Sequence, residues 1–366
     1  MRLVVIVLIY IVTNQIGSSQ SEIEDSIEHK LTFHFNTNTF IKNNEYFGAF
    51  TKGFTGIGFI LQPHLQYKID NHTTVSLGYH VLKYSGLDSF SEAIPLFRIE
   101  TILKNDLTLI IGHLKGGRHH QLSEPLYRID RDYQNQIEYG VQSLLEKEWI
   151  SMDTWLHWEK FIQKNDPFPE ELYVGSNTTI RLFRHKGFSA SLTSELLISH
   201  LGGQIDAALN PDRTILNYSV GPKFTFKLSA TTDLSFEYVY YKSSVVKQVA
   251  DRTSLFFIPL ESGSAVYPQL YIDHNSINAS IGFWNANSFV SPRGEFLFFS
   301  LSDYDQSIVE EDRNLWTSSL SYDFKPFHYL SLFTQLGLYY DVSNDQLDYT
   351  YGLRILLKLN FSLKHQ

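Results

Sequence analysis

From Tyr349 to Phe361 the chain alternates with period two. Tyr349, Tyr351, Leu353, Ile355, Leu357, Leu359 and Phe361 fall on one face, and Thr350, Gly352, Arg354, Leu356, Lys358 and Asn360 on the other. Successive side chains of a strand point to opposite faces of its sheet, so this segment predicts a strand with one apolar face and one face carrying cations. The pattern recurs upstream. Tyr218, Val220, Pro222, Phe224, Phe226 and Leu228 oppose Asn217, Ser219, Lys223, Thr225 and Lys227. Phe59, Leu61, Leu65, Tyr67 and Ile69 oppose Gln62, His64, Gln66 and Lys68, while Ile150, Met152, Leu156 and Trp158 oppose Asp153, Trp155, His157 and Glu159. Two packed sheets could not absorb so many apolar, ring-rich faces. An apolar outside, a polar inside and aromatics near the strand ends predict an all-β, transmembrane, antiparallel up-and-down β-barrel of the outer-membrane class.

Sixteen blocks read as strands: 30–41, 57–69, 73–84, 94–104, 107–116, 136–146, 148–160, 172–184, 188–199, 214–228, 233–242, 266–273, 277–288, 314–325, 329–341 and 348–361. If 266–273 belongs to a loop, the count falls to fourteen. Short connections rich in Asn, Asp and Gly, such as those at Asn71, Asn105 and Lys186, alternate with longer polar ones. That asymmetry predicts periplasmic turns, periplasmic termini and extracellular loops, with 116–135 and 243–264 outside the cell. Pro63 and Pro222 each remove a ladder donor and predict bulges or bends. The block from Leu107 to Ile111 is apolar on both faces, which leaves its orientation open.

Composition narrows the class further. Aromatics make up 15% of the 366 residues although mean hydropathy is only −0.17, which suits strands with one face in lipid. The single long apolar run, Leu3 to Val12, follows Arg2 and precedes Gly17, Ser18 and Ser19. It reads as a cleavable signal peptide over 1–19, leaving 20–366 as one barrel domain. The chain has no cysteine, hence no disulfide and no lipid-anchor thiol, and its net charge of −9 argues against a nucleic-acid partner.

Several phrases stand together: Asn43-Asn44-Glu45-Tyr46, Gly116-Gly117-Arg118-His119-His120-Gln121-Leu122, Glu138-Tyr139-Gly140-Val141-Gln142, Asp153-Thr154-Trp155-Leu156-His157-Trp158-Glu159, and Ile198 to Asp206. With them the chain resembles an uncharacterised, porin-like family of Bacteroidetes outer-membrane β-barrel proteins. The resemblance implies a bacterial outer-membrane location and a barrel, and brings no catalytic residues with it.

Period-two assignment turns Lys68, Arg98, Arg181, Lys223, Lys227, Arg354 and Lys358 toward the lumen, with Glu100, Glu138, Glu146, Asp153, Glu159, Glu195 and Glu237. These could line a charged pore or pair off within a filled one. Trp155, His157 and Glu159 share the inward face of one strand and could bind a saccharide, or simply fill the lumen. His119, His120 and His113 are poor metal ligands as a set, because neighbouring side chains on extended backbone diverge. His200 with Ser199 and Asp206 has the residue types of a hydrolase, without a nucleophile elbow to support it. The sequence thus predicts a non-enzymatic, cofactor-free, metal-free porin-like barrel that contacts outer-membrane lipid and passes or binds small polar solutes. The alternatives are a structural subunit docking other outer-membrane proteins and, as a minor one, a barrel-rim hydrolase.

Overall fold

The computed structural model describes residues 30–134, 137–203, 205, 212–249 and 257–363, so the segment expected to be a signal peptide lies outside the described residues. Sixteen strands close into one barrel. They are β1 (Lys30–Glu45), β2 (Thr55–Lys68), β3 (Thr73–Tyr84), β4 (Glu92–Lys104), β5 (Leu107–His113), β6 (Tyr139–Glu146), β7 (Ile150–Lys160) and β8 (Glu171–His185) in the first half. The second half is β9 (Phe188–Leu201), β10 (Arg213–Lys227), β11 (Thr232–Gln248), β12 (Ser262–His274), β13 (Ile277–Asn287), β14 (Asp312–Phe327), β15 (Leu330–Asp341) and β16 (Gln346–Leu363). Every strand pairs antiparallel with its sequence neighbours, and β1 closes on β16 from Leu31↔Leu363 to Glu45↔Tyr349. Residues 266–273 lie within β12, so the count is sixteen and not fourteen.

The outer wall is the apolar face read from the sequence: Tyr351, Leu353, Tyr218, Phe226 and Trp158 are exposed, whereas Thr350, Asn217 and Ser219 are buried inside. The two prolines do not produce the expected bulges. Leu61↔Val81 and His64↔Gly78 keep one register across Pro63, as Val220↔Tyr240 and Lys223↔Glu237 do across Pro222, so each proline only omits rungs of the ladder. Bulges sit elsewhere, between Ile102 and Lys104, Trp158 and Lys160, Arg181 and Phe183, Thr214 and Ile215, and Phe324 and Phe327.

Turns of two to four residues gather at one end of the barrel with the termini, and the long connections lie at the other together with one short turn, 342–345. Two of the long ones do not project outward. Residues 114–134, carrying a single 3-10 turn (Gly117–His120) and a one-turn helix α1 (Arg131–Gln134), fold back between the walls, as do 289–302. Their apolar side chains explain the reversal. Leu126, Phe289, Leu297 and Phe298 bury against the inward Val239, Tyr241, Tyr267, Trp284, Leu315 and Tyr339. A separate patch joins Tyr133 to Phe40, Ile60 and Leu82, and another joins Leu114 to Ile110 and Trp155. The half of the lumen nearer the long loops is therefore filled by the plug, which contributes these apolar clusters, and the two apolar faces of β5 have separate surroundings: Ile110 meets this plug and Ile111 faces outward.

The two plug segments are also tied by backbone. The Arg128 amide donates to the Arg293 carbonyl at 2.7 Å and the Glu295 amide to the Glu124 carbonyl at 2.9 Å. A side chain at Gly294 would collide with the Pro125 carbonyl, so only glycine allows this approach. The expectation that 116–135 lies outside is corrected accordingly: its described residues, 116–134, form the plug. Of 243–264, β11 and β12 occupy more than predicted, and 250–256 lie outside the described residues.

Candidate functional site

His120 holds the plug to the wall. Its 3-10 turn delivers the ring between strands, where Nε2 lies 2.8 Å from Glu138 Oε2 and Nδ1 lies 2.8 Å from Asp153 Oδ2. The ring stacks on Trp155, with centroids 3.6 Å apart and planes 10° apart. Only 1% of the side chain is exposed. Burial disfavours its charged form, but the hydrogen bonds it donates to Asp153 and Glu138 outweigh that and raise its pKa. Burial would likewise raise Glu138, yet the His120 hydrogen bond and the Arg293 guanidinium pull it down to about 2.

From there the network continues across the barrel. Arg293 reaches Glu138 at 3.3 Å and Glu159 at 2.6 Å, and stacks over Tyr173 at 4.0 Å. Arg131 of α1 meets Glu159 at 3.0 Å. The Tyr139 amide donates to His157 Nδ1 at 3.0 Å, which leaves His157 Nε2 to donate to Glu159 at 3.2 Å. Neither His120 nor His157 therefore has a nitrogen free to act as a base. On the opposite wall Lys42 pairs with Asp130 at 3.4 Å, Asn44 with the same carboxylate and with Thr350, and Arg118 and Arg354 with Asp132. Burial raises the pKa of Glu124, whose carboxylate accepts from Tyr339, and raises Glu295 well above the usual carboxylate range with Asp130 and Glu124 adding to it.

Trp155, His157 and Glu159 do share an inward face, but the plug covers them, so no saccharide can stack there; this corrects one of the two readings of that strand. Arg98 caps the carbonyls of His113 and Leu114, Glu100 pairs with Lys115, and Arg181 with Glu146 in an exposed position. Glu195 is buried and accepts from Ser123 and Ser219. Lys68, Lys227 and Lys358 stand exposed toward the short-turn end. Sequence reasoning missed Arg293, Arg131, Asp130 and Asp132, because they lie on polar loop segments that no period marks as inward. No cluster of His, Asp and Glu suited to a metal occurs among the described residues.

Beneath the plug, toward the short turns, two adjoining polar cavities of about 370 and 320 Å³ share Gln121 and Asn177 on their walls. A different polar group sits on the outer wall at the long-loop rim. Ser199 is buried inside and Asp206 lies outside the described residues, so the set proposed around His200 from sequence does not assemble. His200 faces outward instead, its Nδ1 2.8 Å from Thr214 Oγ1 on β10. Thr214 in turn pairs in register with Lys247 of β11, whose ammonium meets Asp212 at 2.6 Å. Three adjacent strands thus set a histidine, a hydroxyl and a cation side by side on the outer wall.

A family model described as Lipid A 3'-O-deacylase-type matches residues 19–366. No curated protein matches. Among solved structures, the outer membrane protein OprD from Pseudomonas aeruginosa is similar at 9% identity over 95% of this chain and 98% of its own, with a TM-score of 0.51. OpdK from the same organism gives 9% identity, 93% and 100% coverage, and 0.52. A loop-deletion form of OmpT from Vibrio cholerae gives 10%, 90% and 99%, and 0.51. At such identities the likeness is one of fold: a closed outer-membrane barrel. The family finding overturns the expectation of a non-enzyme, because the family that spans the chain is described by an enzymatic activity.

Proposed function

From the premise that the chain belongs to the Lipid A 3'-O-deacylase-type family, we propose that it is an outer-membrane hydrolase of acyl esters in amphiphilic lipids, acting on the lipid-facing wall. The observation that carries this reading is the outward His200–Thr214 pair at 2.8 Å. An ester buried at the boundary of headgroup and acyl chain meets a barrel only at its outer face near a rim, where this pair stands. A hydroxyl becomes a competent nucleophile when a base within hydrogen-bond reach takes its proton. Thr214 Oγ1 attacks the ester carbonyl while His200 Nδ1 accepts the hydroxyl proton. The ester C–O bond then breaks, the leaving alkoxide takes that proton, and water releases the acyl group from Thr214 by the reverse sequence. Lys247, one strand over, supplies positive charge for an anionic headgroup or the developing oxyanion.

Free diffusion through the lumen is the weaker reading, since hydrophobic packing and ion pairs hold the plug across it. The structural-subunit alternative has no observation of its own. Vesicles containing lipid A, incubated with the refolded protein, test the proposal by mass spectrometry of released fatty acid. Thr214→Ala and His200→Gln should each abolish release, the typical general-base contribution alone being on the order of 10²–10⁴-fold. Full activity in both folded variants would remove this site from the reaction.

A further inference from the structure

The cavity of about 320 Å³ below the plug contains a cation with no carboxylate partner among the described residues. Lys223 lies in register with Glu237 on the neighbouring strand, where an ion pair would be expected. Glu237 instead accepts from Thr193 Oγ1 at 3.0 Å. The Lys223 ammonium rests over the Tyr271 ring, 4.8 Å from its centroid. The other acid of this cavity, Glu195, is capped by the Ser123 and Ser219 hydroxyls at 2.7 and 2.6 Å. Both local carboxylates are thus occupied by neutral donors, and among the described residues the ammonium keeps a ring face. A cation–π contact at a wet site is weaker than a charge-assisted hydrogen bond, so an incoming carboxylate gains by taking the ammonium over.

The remaining wall says what else the ligand carries. Thr179, Ser191, Gln269, Asn177 and Gln121 offer neutral donors and acceptors, while Val239, Tyr241 and Tyr271 add apolar and ring surface. Such a mixed lining suits a solute with several hydroxyls and an apolar ring face, and the volume lies at the small end of the ligand-site range, enough for one sugar ring. Ser191, Lys223 and Tyr271 all lie in the half of the barrel nearer the short turns, while Ser123 belongs to the plug that closes the other side, so entry is from the short-turn end. We propose that this vestibule binds a small sugar acid, its carboxylate on Lys223 and its hydroxyls on the surrounding Ser, Thr, Asn and Gln side chains. The site shares no residue with the outer-wall pair and stands independently of the hydrolase reading.

Equilibrium dialysis of the folded protein in detergent, with D-glucuronate and D-glucose as probes, tests it. The parent should bind glucuronate in preference to glucose, and added salt should weaken only the acid. Lys223→Gln should weaken glucuronate at least tenfold and leave glucose unchanged, while Lys223→Arg should retain binding. Heat-modifiable gel migration identifies folded barrel in each variant; should Lys223→Gln not fold, the salt and probe preferences of the parent decide. A parent that binds neither probe, that prefers glucose, or whose glucuronate affinity survives Lys223→Gln overturns the proposal.

Discussion

Replacing His120 with alanine should free the plug without unfolding the barrel. The substitution removes a ring stacked on Trp155 and two 2.8 Å contacts to carboxylates. Breaking a buried ion pair by removing one partner costs about 3–5 kcal/mol, chiefly through the charge left behind. Here Glu138 keeps Arg293, and Asp153 keeps the Gln142 amide at 2.9 Å, so the low end applies, about 3 kcal/mol. The cost falls on local opening of the plug, because the strand ladder does not depend on His120. Amide hydrogen exchange reads it directly: tenfold per 1.4 kcal/mol makes the expected acceleration on the order of 100-fold over 117–134. Exchange in β1 and β16 should be unchanged. The pH dependence has a definite sign. The folded pKa of His120 lies above its ordinary value of about 6.5, so the latch is at full strength below that pH and weakens as pH rises through the raised value. Equal exchange over 117–134 in parent and variant, or plug protection that grows with rising pH, would refute the argument.

Other outcomes follow from the same contacts. Arg293→Leu leaves Glu138 with His120 alone and takes one of its cations from Glu159, so it should destabilise the plug by the low end of the range for a broken buried pair, about 3 kcal/mol, seen as proteolysis between 289 and 302. The Glu138 contribution to stability, with its pKa held near 2, should persist above the ordinary carboxylate range and vanish as pH falls toward about 2, measurable as plug exchange at acid pH. Outward Phe236→Arg or Leu353→Arg should cost about 2–4 kcal/mol in a vesicle unfolding titration where the site lies near mid-membrane, whereas inward Thr225→Arg should cost much less. Planar-bilayer recordings of the parent should show a closed barrel, and deletion of 117–134 should open it to steady conductance; an open parent would contradict the plug.

Much of this protein is written in period two. A lipid-facing wall must be largely apolar at every second residue, so the alternation through Tyr351, Leu353 and Ile355, and through Tyr218 and Phe226, sufficed to give strand class and outer face, and the number to within the one weak block at 266–273. The order of the strands needed little more, since short turns force each to pair with its neighbour. The long connections carry no such period. Nothing in the residues from Gly116 to Gln134 marks Leu126 and Tyr133 as core or His120 as the partner of Asp153, because those contacts join positions far apart in the chain across an enclosed space. The inward Trp155 and His157 were legible as inward, but whether water or the plug met them depended on that fold-back. The prolines misled for a related reason: ladder bonds on either side hold the register, so a missing donor costs a rung and moves nothing. The outward row of His200, Thr214 and Lys247 spans three strands, and only closure of the sheet in register brought those residues side by side.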